Sequence, residues 1–278
     1  MTPEELYFFD TNGYLLIEDV VPEDMLEEGI AASKCWESEL NLRFPNRPAP
    51  EGALPGGAIS QIATKEPIYL CMALLPKILG PTVSLVDSPK LKTTWLSYSL
   101  LGGAVEPHGN HMPFNPGQAY MFVGGRPFAS LLLFIFALSE IPEDGGALNV
   151  IPGSHKSNFE APKEGRLLDS MWRKVPQPQG SALMISHDIL HGSLCERDIV
   201  RRTLHVGYGP GCMVHGDDMR NDLLKEVCDQ APEGSWRRYL LRQPGMRDSC
   251  PKPEYPVAHE FDEIMKWRPH IKGSRLPA

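Results

Sequence analysis

The chain has 278 residues, of which 42% are hydrophobic and 22% are charged, and this composition is typical of a folded globular protein. Its 27 basic and 35 acidic residues give a formal net charge of −8, which argues against a nucleic-acid-binding protein. The longest apolar run, over 131–138, is shorter than the roughly 18 residues that a membrane span needs. The N-terminus has no pattern typical of a signal peptide.

The six cysteines show no regular spacing and include no Cys-x-x-Cys pair. Such a distribution argues against a zinc ribbon and against a dense disulfide framework. We therefore expect reduced thiols, which are typical of a cytoplasmic protein.

Helices are predicted for much of the first 80 residues. Asn12-Gly13 is a turn signal, and Pro22 suits the first turn of a helix that has acidic residues near its positive end. Four prolines and several glycines predict a loop after that helix. In chain order we predict a helix over 4–10, a strand over 14–17, a helix from 22 to about 40, a loop over 41–57 and a helix over 66–79.

Short β-rich stretches separated by glycine and proline turns follow from residue 90 to residue 210. Evenly spaced strands of this kind predict a sandwich or a jelly roll. The tail over 217–241 again has a helical pattern, so we expect a mainly β core wrapped by N- and C-terminal helices. The predicted strands are 92–101, 119–123, 130–138, 147–151, 182–186 and 202–208.

Two of the nine histidines stand out because they lie just past predicted strands. His108 is in the segment Glu-Pro-His-Gly-Asn-His, and His191 follows the strand over 182–186. Antiparallel folding brings distant strand ends together, so these two imidazoles are candidates for one metal site. Two imidazoles and a carboxylate, with positions left open, form the ligand set of non-haem Fe(II) oxygenases.

Arg202 is a candidate anion-binding residue on the last predicted strand. Side chains alternate along a strand, so Arg202 shares the apolar face of Leu204. Arg201 lies on the opposite face with His205. A buried arginine is costly unless an anion pairs with it, and its planar guanidinium matches a carboxylate. The alternative is that Arg202 lies at the frayed start of the strand and reaches solvent.

Several segments resemble the phytanoyl-CoA dioxygenase family of Fe(II)- and 2-oxoglutarate-dependent oxygenases. Residues 8–15 are similar to the N-terminal segment of those proteins, and residues 144–156 are similar to a signature in the middle of their barrel. We interpret His155, within the second segment, as a structural residue. Leu-His-Gly-Ser over 190–193, with Arg202 eleven residues after His191, is similar to the family's distal histidine and its 2-oxoglutarate-anchoring arginine.

The resemblance implies a double-stranded β-helix, a jelly-roll and cupin-like core over about 90–210, within a single domain over 1–278. It implies that His108 and His191 bind Fe(II). It also implies that Arg202, assisted by the Ser193 hydroxyl, holds the distal carboxylate of 2-oxoglutarate. The implied reaction consumes O2 and 2-oxoglutarate, forms succinate and CO2, and oxidises an unactivated C–H bond.

The chain departs from the family's His-x-Asp motif, because Asn110 stands where the aspartate is expected. Four explanations are open. Asn110 is a weak, neutral third ligand; the position takes a halide, as in halogenases of the family; Glu106 or His111 replaces the carboxylate; or the chain is catalytically silent. Strand alternation puts Glu106 on the side of His108 and directs His111 the other way.

We therefore predict an Fe(II)- and 2-oxoglutarate-dependent dioxygenase acting on a small organic substrate, with His108, Asn110 and His191 as metal ligands. The alternatives are an iron and 2-oxoglutarate halogenase, and a silent double-stranded β-helix partner or ligand-binding protein. We expect no nucleic-acid or membrane partner, and the sequence is compatible with a homo- or hetero-oligomer.

Overall fold

Helices occupy both ends of the part of the chain that the structure describes. This computed structural model describes residues 1–40, 56–110, 117–162, 165–213 and 222–242. Thr2 caps the first helix, and Gly13, with a φ of +83°, ends it in a left-handed conformation just before the first strand. The helices are α1 (Pro3–Asn12), α2 (Glu23–Glu39), α3 (Pro67–Ala73), α4 (Pro76–Leu85), α5 (Arg166–Met171), α6 (Asp222–Gln230) and α7 (Trp236–Leu241).

Two antiparallel sheets and a separate hairpin contain the strands of the described residues. The strands are β1 (Tyr14–Ile17), β2 (Gly56–Ser60), β3 (Pro89–Ser99), β4 (Ala104–His108), β5 (Tyr120–Val123), β6 (Arg126–Ala129), β7 (Leu132–Ala137), β8 (Leu148–Val150), β9 (Arg173–Val175), β10 (Ala182–Ser186), β11 (His191–Leu194) and β12 (Arg201–Pro210). The larger sheet has the order β1-β10-β7-β12-β3-β2, and the smaller has the order β4-β11-β8-β9. The strands β5 and β6 pair only with each other.

Each face of the larger sheet packs against a different layer. All six residues of β7 are buried. Phe134 and Phe136 join the main hydrophobic cluster, which includes residues of α1, α3, α4 and α7. Leu133 and Ile135 face the other way and join a smaller cluster with Val150 of the smaller sheet. Because both faces are covered, the strand is apolar throughout, and the helices lie outside a two-sheet core as predicted.

Most predicted elements are present, but the helix predicted over 66–79 is wrong. The segment forms two helices, because Pro76 lacks a backbone N–H and begins the second one. Residues 56 and 57, predicted as loop, begin β2, whereas 41–55 lie outside the described residues. The short strands β4, β6, β9 and β11 were not predicted, and β4 is exposed along its whole length.

No single helix among the described residues is long and apolar enough to cross a membrane. The helices α3 and α4 together meet the length and composition requirements, but their axes are bent by 55°. All seven residues of α3 are buried.

Candidate functional site

Two imidazoles meet where strands β4 and β11 of the smaller sheet pair. His108 ends β4 and His191 begins β11, and the two residues are direct partners in the antiparallel register. Their ring centroids are 4.1 Å apart. Antiparallel pairing thus brings together two side chains that are 83 positions apart in the sequence.

Both rings are held by the same kind of hydrogen bond. Nδ1 of His108 lies 2.8 Å from the carbonyl oxygen of Glu106, and Nδ1 of His191 lies 2.7 Å from that of Ile189. A carbonyl oxygen only accepts, so Nδ1 carries the proton in each neutral ring. The lone pair of each ring is therefore on Nε2, through which a neutral imidazole can bind a metal ion.

Gly109 permits the turn that follows His108. Its φ is +107°, and a Cβ at this position would lie 2.1 Å from the carbonyl oxygen of Ile189. The next N–H, that of Asn110, donates to the carbonyl of Asp188 at 2.6 Å. This close approach of two backbone segments fixes His108 against the turn that leads to His191.

Asn110, predicted as a third metal ligand, has both ends of its amide engaged by backbone groups. Its Nδ2 donates to the carbonyl of Ser154 at 3.0 Å, and its Oδ1 accepts from the N–H of Ala161 at 2.9 Å. The residue is buried and has a left-handed φ of +49°, which asparagine tolerates better than most residues. The oxygen through which Asn110 would bind a metal is thus directed at Ala161, which argues against the predicted role.

A third imidazole, that of His187, lies beside the pair. Its ring centroid is 6.4 Å from that of His108 and 6.0 Å from that of His191. Sequence reasoning missed His187, although its position directly after β10 was the available signal. Within the described ranges, no three histidine, cysteine or acidic side chains are arranged to hold a metal ion together. The pair itself offers the Nε2 atoms of two imidazoles as metal ligands.

Arg202 lies on the helix-covered face of the larger sheet and pairs with a carboxylate of α2. Its Nε and Nη2 donate to Oε2 of Glu37 at 2.8 and 2.5 Å, and the two side chains are 17% and 16% exposed. Leu204, on the same face of β12, packs into the main hydrophobic cluster. The apolar face of β12 therefore meets the helices, and the anion beside Arg202 is the carboxylate of Glu37, which argues against its predicted role at 2-oxoglutarate.

Arg201 lies on the opposite face of β12, toward Gly146 and Cys195. It is 3% exposed, and its buried Nε has no hydrogen-bond partner among the described residues. Gly146 makes room for it, because a Cβ there would lie 2.9 Å from Cδ of Arg201. Burial lowers the pKa of the guanidinium to about 10, and Cys195 opposes this shift. An unpaired buried cation is costly, so Arg201 fits a negatively charged ligand.

His205 lies on the same face of β12 as Arg201. Its ring stacks on Trp95 of β3, with centroids 4.4 Å apart and an interplanar angle of 16°. Its Nε2 lies 3.0 Å from Oγ1 of Thr203. Burial lowers the pKa of His205 well below its usual value, and the nearby Arg201 and His191 lower it further. The ring is therefore neutral at physiological pH.

A pocket of about 950 Å³ opens beside His108. Ser193 lines this pocket, on a strand whose register shifts between His191 and Ser193. Neither Arg201 nor Arg202 is among the described residues that line it. Ser193 and Arg202 therefore do not share this pocket, in contrast to the predicted co-substrate site.

His155 belongs to a separate contact that holds α1. Its ring is buried, and its Nε2 lies 3.2 Å from the carbonyl oxygen of Asp10. The carboxylate of Asp10 accepts hydrogen bonds from Tyr120 at 2.8 Å and from Lys156 at 2.9 Å. Burial, together with the charge of Lys156, lowers the pKa of His155 to about 4. These contacts agree with the structural interpretation of His155.

The sequence profile of the phytanoyl-CoA dioxygenase (PhyH) family matches residues 9–197, which is more than half of the chain. This chain belongs to the phytanoyl-CoA dioxygenase family. The match includes both histidines of the pair and ends just before Arg201. A comparison of this family member with curated protein sequences found no significant match.

Solved structures of similar fold include oxygenase-type enzymes. HygX from Streptomyces hygroscopicus with nickel and 2-oxoglutarate bound is 20% identical, with 77% of this chain and 89% of that chain covered and a TM-score of 0.66. SnoN, an α-ketoglutarate-dependent epimerase from nogalamycin biosynthesis, is 14% identical, with 91% and 97% covered and a TM-score of 0.60. EctD from S. alaskensis is 18% identical, with 76% and 78% covered and a TM-score of 0.58. These similarities confirm the predicted double-stranded β-helix core.

Proposed function

We propose that this protein is a mononuclear Fe(II)- and 2-oxoglutarate-dependent oxygenase that oxidises a small organic molecule. The observation that carries the proposal is the His108–His191 pair, whose rings lie 4.1 Å apart and whose hydrogen bonds put the lone pairs on Nε2. Family membership supports the proposal, as do the structures of HygX that contain iron or 2-oxoglutarate.

His108 and His191 would hold the iron. Bound iron supplies the redox chemistry by which O2 and 2-oxoglutarate give succinate and CO2 while a substrate C–H bond becomes C–OH. The chain contributes the positions of the metal and co-substrate and an apolar surrounding. Leu133, Ile185 and Val150 form part of the hydrophobic cluster between the two sheets, which limits the access of water to this interior.

We place Arg201, rather than Arg202, at the distal carboxylate of 2-oxoglutarate. Arg201 is a buried cation without a partner among the described residues, and a carboxylate would pair with its guanidinium in bidentate fashion. Arg202 would have to give up Glu37 to do the same. Ser193 stays a candidate for contact with substrate or co-substrate, because it lines the pocket beside His108.

The pocket beside His108 is our proposed entrance and binding region for the organic substrate. Its apolar wall includes Trp172, and four carboxylates line it: Glu106, Glu160, Asp169 and Glu196. Lys174 also lines the pocket and pairs with Glu196 at 3.1 Å. Negative charge therefore exceeds positive charge on this lining, which favours neutral or cationic substrates over anionic ones.

The function is tested by adding Fe(II) and 2-oxoglutarate to the protein without oxygen. We expect the weak visible charge-transfer band of a chelated iron complex, and we expect His108→Ala and His191→Ala to remove it. His155→Gln is the matched control, because it changes a buried histidine outside the pair, and it should keep the band. Absence of the band from the unmodified protein, together with iron binding that 2-oxoglutarate does not tighten, would instead favour a catalytically silent protein.

A halogenase is a second candidate function. It is favoured by the amide oxygen of Asn110, which accepts a hydrogen bond from Ala161. It is also favoured because no three metal-ligating side chains of the described residues are arranged to hold an ion together. A coordination position without a protein carboxylate can take a halide. A chloride- or bromide-dependent change in the charge-transfer band would support halogenation, and a band insensitive to both would support hydroxylation.

A further inference from the structure

His205 has a buried ring nitrogen that the fold leaves without a partner. The residue is 9% exposed, and its Nδ1 has no hydrogen bond to any described residue. Its other nitrogen, Nε2, is engaged by the Thr203 hydroxyl at 3.0 Å. Buried polar atoms in native structures nearly always have a partner, so an orphaned one points to a missing ligand.

His205 lies on the same buried face of β12 as Arg201, with Thr203 between them. It is close enough to Arg201, His191 and His187 for their charges to act on it. Arg201 would bind one end of 2-oxoglutarate, and the metal held by His191 would bind the other. His205 is thus a residue on which both the proposed carboxylate-binding arginine and a proposed metal ligand act.

The surroundings of the His205 ring are compatible with a proton on Nδ1. Trp95 stacks on the ring and fixes its plane. Burial keeps the ring neutral, and a neutral imidazole carries only one ring proton. When the Thr203 hydroxyl donates to Nε2, that proton is on Nδ1. A carboxylate beside Nδ1 selects this tautomer, because a carboxylate oxygen only accepts.

We propose that His205 is a second 2-oxoglutarate-binding residue, whose Nδ1–H donates to a carboxylate oxygen of the co-substrate alongside Arg201. The proposal rests on the proposed function. It assigns Thr203 a positioning role, since its hydroxyl sets the tautomer of His205. It also assigns Trp95 a positioning role, because stacking on Trp95 fixes the plane of the His205 ring.

The experiment measures the Kd of 2-oxoglutarate for the Mn(II)-loaded protein without oxygen, by calorimetry. His205→Phe keeps an aromatic ring against Trp95 and removes the donor, and we expect it to raise the Kd about tenfold or more. The Kd of Mn(II) should stay unchanged. Thr203→Val should raise the Kd of 2-oxoglutarate less. Arg202→Lys is the matched control on the other face of β12 and should leave it unchanged.

A second measurement does not depend on any variant folding. In 15N-histidine-labelled, Zn(II)-loaded protein, 2-oxoglutarate should shift the Nδ1 resonance of His205 and show a bonded proton on that nitrogen. A Kd for His205→Phe within about twofold of the unmodified protein, or an unmoved resonance, would overturn the role of His205 while 2-oxoglutarate binding itself stands. Failure of the unmodified protein to bind 2-oxoglutarate would overturn the proposed function and this role together.

Discussion

The two adjacent arginines of β12 give opposite predictions for stability and for co-substrate binding. Replacing Arg201 by Met keeps a long side chain of similar volume but removes a buried charge that has no partner among the described residues. Replacing Arg202 by Met removes a charge that pairs with Glu37. The two substitutions differ by one position in the sequence, so each is the control for the other.

The expected magnitudes follow from the surroundings of each guanidinium. Burial lowers the pKa of Arg201 from its ordinary 12.5 to about 10, which corresponds to roughly 3 kcal/mol of burial cost. Arg201→Met should therefore not lower the free energy of unfolding, and should raise it by up to about 3 kcal/mol. Arg202→Met leaves the 16%-exposed carboxylate of Glu37 without its partner and should lower that free energy by about 1–3 kcal/mol.

Binding of 2-oxoglutarate should change in the opposite sense. A charge-assisted hydrogen bond contributes about 1.5–3 kcal/mol, so Arg201→Met should raise the Kd about 10- to 150-fold. Arg202→Met should leave the Kd within about twofold. Urea denaturation gives the stabilities, and calorimetry on Mn(II)-loaded protein without oxygen gives the Kd. Loss of co-substrate binding in Arg202→Met but not in Arg201→Met would refute the assignment of the two faces.

Three further predictions concern the turn after β4 and the contact that holds α1. Asn110→Asp removes the side-chain N–H that donates to the carbonyl of Ser154 and should lower the free energy of unfolding by about 1–2 kcal/mol. A lower Kd for Fe(II) in this variant, measured by titration, would show instead that residue 110 faces the metal. Gly109→Ala puts a Cβ against the carbonyl of Ile189 and should weaken Fe(II) binding by displacing His108, which the same titration measures; unaltered affinity would contradict this. The pKa of His155 is about 4 in the folded protein and about 6.5 in the unfolded chain, so between these pH values only the unfolded chain binds the extra proton. The free energy of unfolding should therefore fall by up to about 3 kcal/mol as the pH drops from 6.5 toward 4. Denaturation at several pH values should show a weaker fall in His155→Gln, and an equal fall would exclude His155 as the cause.

Local patterns were sufficient for most of the secondary structure and for the pair of His108 and His191. The strand over 182–186 was predicted at its observed bounds, because five consecutive apolar or small residues lie between clear turn signals. His108 and His191 were singled out because each follows a predicted strand, and antiparallel folding brings distant strand ends together. The strands that pair them, β4 and β11, were not predicted. The strand β4 was missed because its residues are exposed and show no apolar alternation.

The hydrogen-bond partners of the Asn110 side chain could not be predicted, because they are backbone groups from distant parts of the chain. Ala161, whose N–H donates to the amide oxygen, is 51 positions away. A His-x-Asn segment gives no sign that the amide is used by another segment of backbone. A single domain over 1–278 and a cytoplasmic location stay predictions from the sequence.

The sequence by itself determined that the two arginines of β12 lie on opposite faces, because side chains of a strand alternate. It also determined the family, through motifs that lie close together along the chain. Only the tertiary structure decided which of the two arginines pairs with a carboxylate of the helices and which lies unpaired among the described residues. Both faces of β12 are buried, the apolar one against the helices and the one with Arg201 and His205 between the sheets, so burial alone does not distinguish them. The distinction depends on which layer packs on each face, and that is a property of contacts between residues far apart in the sequence.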